Sequence, residues 1–217
     1  MKHIYISIFL SFITISAYSQ TIEKMELDLR SMRSNEKWGG KMKTARKLLK
    51  KDPLNPIAVN YIAEWHYRKG TKDDIGIFFD DLQNKNPFSA TPYILRVGLG
   101  SYEDLTIANM ISYLEKGHKI EPDNEQVIFM LGLKYYELFY NEYNDTHNKD
   151  SLDYYAENAT VYFEKLSSTD CQPFQTWGIL MQLYNYQQYY SKLKEMQKKD
   201  FCGSFYFPAL TFSTIYK

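Results

Sequence analysis

Apolar residues open the chain as a block and afterwards recur at helical spacing. Ile4 to Ile15 is an almost unbroken apolar run behind the basic pair Lys2-His3, and Ala17-Tyr18-Ser19 follows it. Small residues at the two positions a signal peptidase reads predict cleavage before Gln20, so residues 1–19 are expected to be a signal peptide. The apolar run is about a dozen residues long, against roughly 20 for a span of the bilayer. No later stretch is apolar enough to cross a membrane, and no cysteine lies near the cleavage site to mark a lipoprotein. The mature chain, residues 20–217, is therefore expected to be exported to a periplasm or the extracellular space.

From there the apolar positions step by three and four. Val59, Ile62 and Ala63 show the step, as do Ile128, Leu131, Gly132 and Tyr135, and again Trp177, Leu180, Met181 and Tyr184. Such steps gather apolar side chains on one side of an α-helix. Helices are predicted over 22–33, 37–51, 56–69, 72–84, 92–99, 105–120, 125–141, 151–167, 174–186 and 187–199, with a truncated one from 208. Pro53, Pro87, Pro122 and Pro173 are expected in turns after helices, and Gly70 as a stop. Asp150 or Ser151 is the expected N-cap of the helix at 151. The prolines are also periodic. Pro53, Pro87 and Pro122 are 34 and 35 residues apart, and Pro173 and Pro208 are 35 apart. The 51 residues from Pro122 to Pro173 hold one period and some 16 more. That excess centres on 140–150 and is polar in Asn141, Asn144, Asp145, Asn148 and Asp150. Tyr135, Tyr136, Tyr140, Tyr143, Tyr154 and Tyr155 keep helical spacing around it. Two lengthened helices, protruding as a hairpin near 136–155, are expected there.

A period near 34 residues with this phasing resembles the tetratricopeptide repeat. In that family the first helix carries a bulky residue, a leucine-like residue three on, a small residue next and a tyrosine three further. The second carries a small residue, an aromatic four later and a proline eight beyond. Ile75, Phe79 and Pro87 keep the second spacing, as do Met110, Leu114 and Pro122. Ala159 and Phe163 match, with Pro173 two residues late. Arg96 and Gly100 stand where leucine and tyrosine are expected, so that unit's first helix is predicted to be short or displaced. The resemblance covers residues 40 to 208. It implies an all-α fold, an α-solenoid of antiparallel helix pairs forming a TPR-like superhelix, whose first helices line a concave side. By the same resemblance the ligand-facing positions fall on Asn60, Glu64, Tyr67, Ile94, Phe129, Leu133, Tyr136, Gln182 and Asn185. For Phe129 and Leu133, packing against the next repeat is the competing role. The implied function is non-enzymatic: a protein–protein interaction or assembly scaffold of the cell envelope, holding a peptide or a partner's helix. The alternative is a glycan-binding helical-repeat protein of the outer-membrane polysaccharide-uptake type. The Ser-Gln junction at the cleavage site resembles signal peptides of the Bacteroidota.

Charge narrows the partners. Lys and Arg number 26 and Asp and Glu number 26, so the chain lacks the basic footprint of a nucleic-acid binder. The 20 tyrosines suit partly wet helix faces and binding surfaces, because each ring carries a polar tip. Chemistry for an enzyme is missing. His66, His118 and His147 fall in different repeats with no second ligand at metal spacing. Asp73-Asp74 and Asp80-Asp81 read as a solvated helix face. No catalytic residue, cofactor or metal is predicted. Cys171 and Cys202, 31 residues apart, are either a disulfide of an exported protein or two reduced thiols.

Overall fold

Side chains at the helix starts account for most of the element boundaries. The structure, a computed structural model, describes residues 21–31, 38–166, 172–196 and 201–202. Residues 21–31 form α1 and Trp38–Lys51 form α2. Asn55 then caps α3, Pro56–Lys69, its Oδ1 accepting the Ala58 N–H at 3.2 Å, with Pro56 in the first turn where no N–H is needed. Helix α4, Lys72–Lys85, begins in a capping box. The Asp74 N–H donates to Thr71 Oγ1 at 3.2 Å, and the Thr71 N–H donates back to Asp74 Oδ2 at 2.7 Å. Helix α5 is short, Thr91–Gly98, and passes into a 3₁₀ turn at Gly100–Tyr102. Thr106 caps α6, Ile107–Ile120, and Asn124 caps α7, Glu125–Asn144. Helix α8 is Lys149–Leu166, α9 is Phe174–Tyr186 and α10 is Tyr190–Met196. A two-residue strand, Gln172–Pro173, pairs in parallel with Phe201–Cys202. The described residues are otherwise helical or in turns, with sequence neighbours packed on one another.

Several boundaries differ from those predicted. The cap of α8 is Asn148, whose Oδ1 accepts the Ser151 N–H at 3.1 Å, so the helix begins two residues ahead of the expected Ser151. Helix α10 starts at Tyr190, three residues late, because Gln188 takes a positive φ of 58° in the intervening turn. Pro53, Pro87 and Pro122 follow α2, α4 and α6 as expected, but Pro173 lies in the two-residue strand. The signal peptide, Cys171, the Cys202 side chain and the helix from 208 lie outside the described residues.

The chain divides into two compact units, Met1–Leu82 and Gln83–Lys217. In the first, Leu29 of α1, Met42, Ala45 and Leu48 of α2, and Ala58, Tyr61 and Ile62 of α3 form one core. Buried Asn55 ties three segments of it together. Its Nδ2 donates to Glu26 Oε1 at 2.7 Å and to Asp52 Oδ2 at 3.0 Å while its Oδ1 caps α3.

In the second unit the core runs from Ala90, just before α5, and Ile94 on α5 through α6, α7 and α8 to Leu180, Leu183 and Tyr184 on α9. Helices α7 and α8 form its longest pair, 20 and 18 residues against 14 for α6. They run antiparallel. Gly132 lies under the Phe163 ring, where a Cβ would come within 3.0 Å, and one turn further Tyr135 stacks on Tyr162 at 6.0 Å. The sequence departure at Arg96 has a physical cause. Its guanidinium grips Glu103 in a fork, Nε to Oε2 at 3.0 Å and Nη2 to Oε1 at 2.9 Å, with both side chains about 95% buried. The Tyr113 ring covers the guanidinium at 4.1 Å. Helix α5 stops early so that the chain can fold back and bring Glu103 to it.

Candidate functional site

The lengthened hairpin carries the most distinctive surface of the second unit. Tyr136, Tyr140 and Tyr143 recur at four and three residues along α7 and form one stripe. Phe139, on the same side, is buried beneath them. Helix α9 lies alongside. The Tyr136 hydroxyl donates to Gln182 Oε1 at 2.6 Å. The Tyr186 ring meets Phe139 edge-on at 5.0 Å and Tyr143 at 6.4 Å, and its hydroxyl donates to Asp153 Oδ1 on α8 at 2.9 Å. Tyr136 and Tyr140 are 6.3 Å apart and Phe139 and Tyr143 5.9 Å, separations at which aromatic pairs attract. Helix α9 ends at Tyr186, while α7 continues to Asn144. Tyr140 and Tyr143 are left 54% and 51% exposed, on rings held by their neighbours.

Burial raises the Tyr136 hydroxyl above its ordinary pKa, and burial with the Asp153 carboxylate pushes Tyr186 up to about 12. Both therefore stay protonated and able to donate at neutral pH. Hydrogen bonds from Lys149 and then Tyr186 hold Asp153 below the usual carboxylate range. Lys149 Nζ sits 2.5 Å from Asp153 Oδ2. The turn at the tip carries Thr146 donating to Glu142, the Asn148 N–H on the same carboxylate, and His147 at a φ of 56°. The exposed carboxylates of Asp145 and Asp150 enter no hydrogen bond or ion pair.

The residues predicted to face a ligand separate by role. Tyr136 and Gln182 come together on the α7–α9 face, and Asn185, three residues further along α9, is exposed like Gln182. Ile94 is only 3% exposed and belongs to the core, so it has no surface to offer. Phe129 and Leu133 are half-buried against the same core, with Phe129 edge-on to Phe163 at 6.1 Å, which is packing. In the first unit, Asn60, Glu64 and Tyr67 lie on one face of α3 by their spacing of four and three. There Glu64 pairs with Arg68 at 2.8 Å, and Tyr67 is exposed. In the sequence the spacing of Tyr140 and Tyr143 argues for a longer helix, with the hairpin around Tyr143 the second place to look for a binding surface, and Tyr186 does not stand out. The signal that could have found them was the same step of three and four continuing past Tyr136 into the inserted residues.

Elsewhere the polar groups do structural duty. The Glu121 carboxylate accepts the Ala90 N–H at 2.8 Å and an Asn124 N–H at 2.6 Å, which hold it below the ordinary carboxylate range and tie the start of α5 to the end of α6. Burial lowers the pKa of His66, packed edge-on to Trp65, and of His118, edge-on to Tyr162. The Asp74 carboxylate belongs to the α4 capping box, whose hydrogen bonds from Thr71 lower its pKa. Among the described residues no three His, Cys, Asp or Glu side chains gather as a metal site, and no helix is long and apolar enough to cross a membrane. No protein-family model matches the chain, and no curated protein matches it.

Proposed function

We propose that the chain is a non-enzymatic binding module of the exported, TPR-like kind, built of stacked antiparallel helix pairs, and that it holds a peptide segment of another protein on the α7–α9 face. One observation carries this reading: the Tyr140 and Tyr143 rings of α7 stay half-exposed while held against Tyr136, Phe139 and Tyr186, and the hydroxyls of Tyr136 and Tyr186 beside them are bonded to Gln182 and Asp153. A tyrosine already held in place covers much area and loses little freedom on binding, which is the property of residues that dominate interfaces. The phased prolines and the Gly132–Phe163 contact support helix pairs of this type.

The test is selection of peptides from a random displayed library on the purified chain, followed by direct titration. Enriched peptides should lose about 1–3 kcal/mol of binding when Tyr140 and Tyr143 are both replaced by Ala, in a variant that stays folded at the temperature of the titration. Peptides that bind the double variant as well as the parent would refute the placement. Failure to enrich any peptide, with retention of soluble polysaccharide in affinity gels, would give the glycan-binding alternative the same face.

A further inference from the structure

We infer that the segment held by this face is basic, and that Lys or Arg side chains lie on the tyrosine rings of the overhanging hairpin. The inference rests on the peptide-binding reading and names the chemistry of the partner. Two features of the hairpin select it. The first is the half-exposed rings of Tyr140 and Tyr143, whose quadrupole attracts a cation. The second is charge. From Tyr140 to Asp153 the chain carries four carboxylates, Glu142, Asp145, Asp150 and Asp153, against one cation, Lys149. Lys149 is already held by Asp153, whereas exposed Asp145 and Asp150 enter no ion pair. Asp153 is joined to the stripe itself, since Tyr186 bonds its carboxylate and touches Tyr143. An acidic partner would meet uncompensated repulsion here, and a neutral one would leave these carboxylates unanswered. A basic peptide satisfies both the ring faces and the charge, with the field steering its approach.

The experiment is fluorescence anisotropy of the purified chain with three labelled twelve-residue peptides of matched length: Lys/Arg-rich, Gln/Ser-rich and Asp/Glu-rich. The basic peptide should bind best, and its affinity should fall as salt rises. Tyr143→Leu should weaken it about two- to fivefold and Tyr143→Phe should not, because phenylalanine keeps the ring face. Asp145→Asn with Asp150→Asn should weaken it and flatten the salt dependence. Asp73→Asn with Asp80→Asn, on α4, serves as the control for general acidity. Equal losses from the control pair, or equal loss from the Phe and Leu variants, would overturn the inference. Tighter binding of the Gln/Ser peptide at the same tyrosines would overturn it while leaving peptide binding intact. If none of the three binds and the displayed library also yields nothing, the peptide-binding reading itself fails.

Discussion

Removing the Glu103 carboxylate should be among the most damaging single changes in the second unit. Its fork with Arg96 is made of bonds of 3.0 and 2.9 Å between side chains only 5% and 6% exposed. Glu103→Ala leaves a buried guanidinium that cannot shed its proton and has lost this carboxylate, while keeping the Tyr113 face at 4.1 Å. Breaking a buried pair from one side costs about 3–5 kcal/mol. For a chain of this size each kcal/mol shifts melting by roughly 2–4 °C, so the expected fall is about 6–20 °C. Replacing both residues by leucine should recover most of the loss, because the desolvation cost of two charges disappears with their attraction. Circular dichroism melts of the two single variants, the double variant and the parent complete the cycle. Glu103→Ala melting within about 2 °C of the parent, a small fraction of a shift near 6–20 °C, would refute the reasoning. So would a double-leucine variant less stable than either single one.

Four further outcomes are expected. Gly132→Ala should destabilise, since the gain of about 1 kcal/mol in helix propensity meets a Cβ within 3.0 Å of buried Phe163, whose displacement costs about 1–3 kcal/mol; chemical denaturation measures the difference. Asn148→Ala removes the cap of α8 and should cost about 1 kcal/mol, detectable as faster amide exchange confined to the hairpin tip. Acidification should destabilise the fold. The folded pKa values of His66 and His118 lie below the unfolded value near 6.5, so the unfolded chain takes up protons first and stability falls as pH drops below it. Asp74 and Glu121, also lowered, act in the same sense at more acid pH, where the stability they contribute is lost as they protonate. Melts from pH 8 to 5 should show the decline, and a His66→Gln, His118→Gln variant should flatten its upper part. Tyr136→Phe, which deletes only the hydroxyl bonded to Gln182, should change melting by under about 1 kcal/mol equivalent, whereas Tyr136→Ala should lower both binding and stability. A Tyr136→Ala variant that melts normally and binds normally would exclude Tyr136 from the interface.

The starts of α3 and α7, behind the caps Asn55 and Asn124, were legible to the residue. Helix α3 begins at Pro56 behind Asn55 because residue type alone fixes that geometry. The lengthened hairpin was legible for a similar reason, since a tyrosine every three or four residues has no use in a loop. What escaped depended on partners distant in space. Arg96 was visible as a misfit in the repeat pattern, but a buried cation is intelligible only with Glu103, which reaches it through the early end of α5. The turn at Gln188 gave no signal, since glutamine does not advertise a positive φ as glycine or asparagine does. In the candidate face, the resemblance to the repeat pointed to Tyr136 and Gln182, which share a hydrogen bond. It placed Ile94 there too, because a repeat register assigns faces to a helix of ordinary length, and α5 is shortened by its ion pair. Tyr140 and Tyr143 lie in or beside the residues that exceed the spacing of the prolines, for which the resemblance supplies no register.

The Asn55 amide bears on where the chain can be cut. It is held at once by Glu26, by Asp52 and by the first turn of α3, and the same helix α1 supplies Leu29 to the core. A recombinant fragment begun at Trp38 to shorten the protein would therefore strip a carboxylate from a buried amide and an apolar lid from Ala45 and Leu48 in one step. Its first unit should aggregate or melt early although every helix from α2 onward is present. A fragment begun at Gln20 keeps both. The choice of expression boundary is thus constrained by Asn55, whose partner Glu26 lies 29 residues before it, and a protease that clips within α1 should release the first unit from its fold rather than merely trim an end.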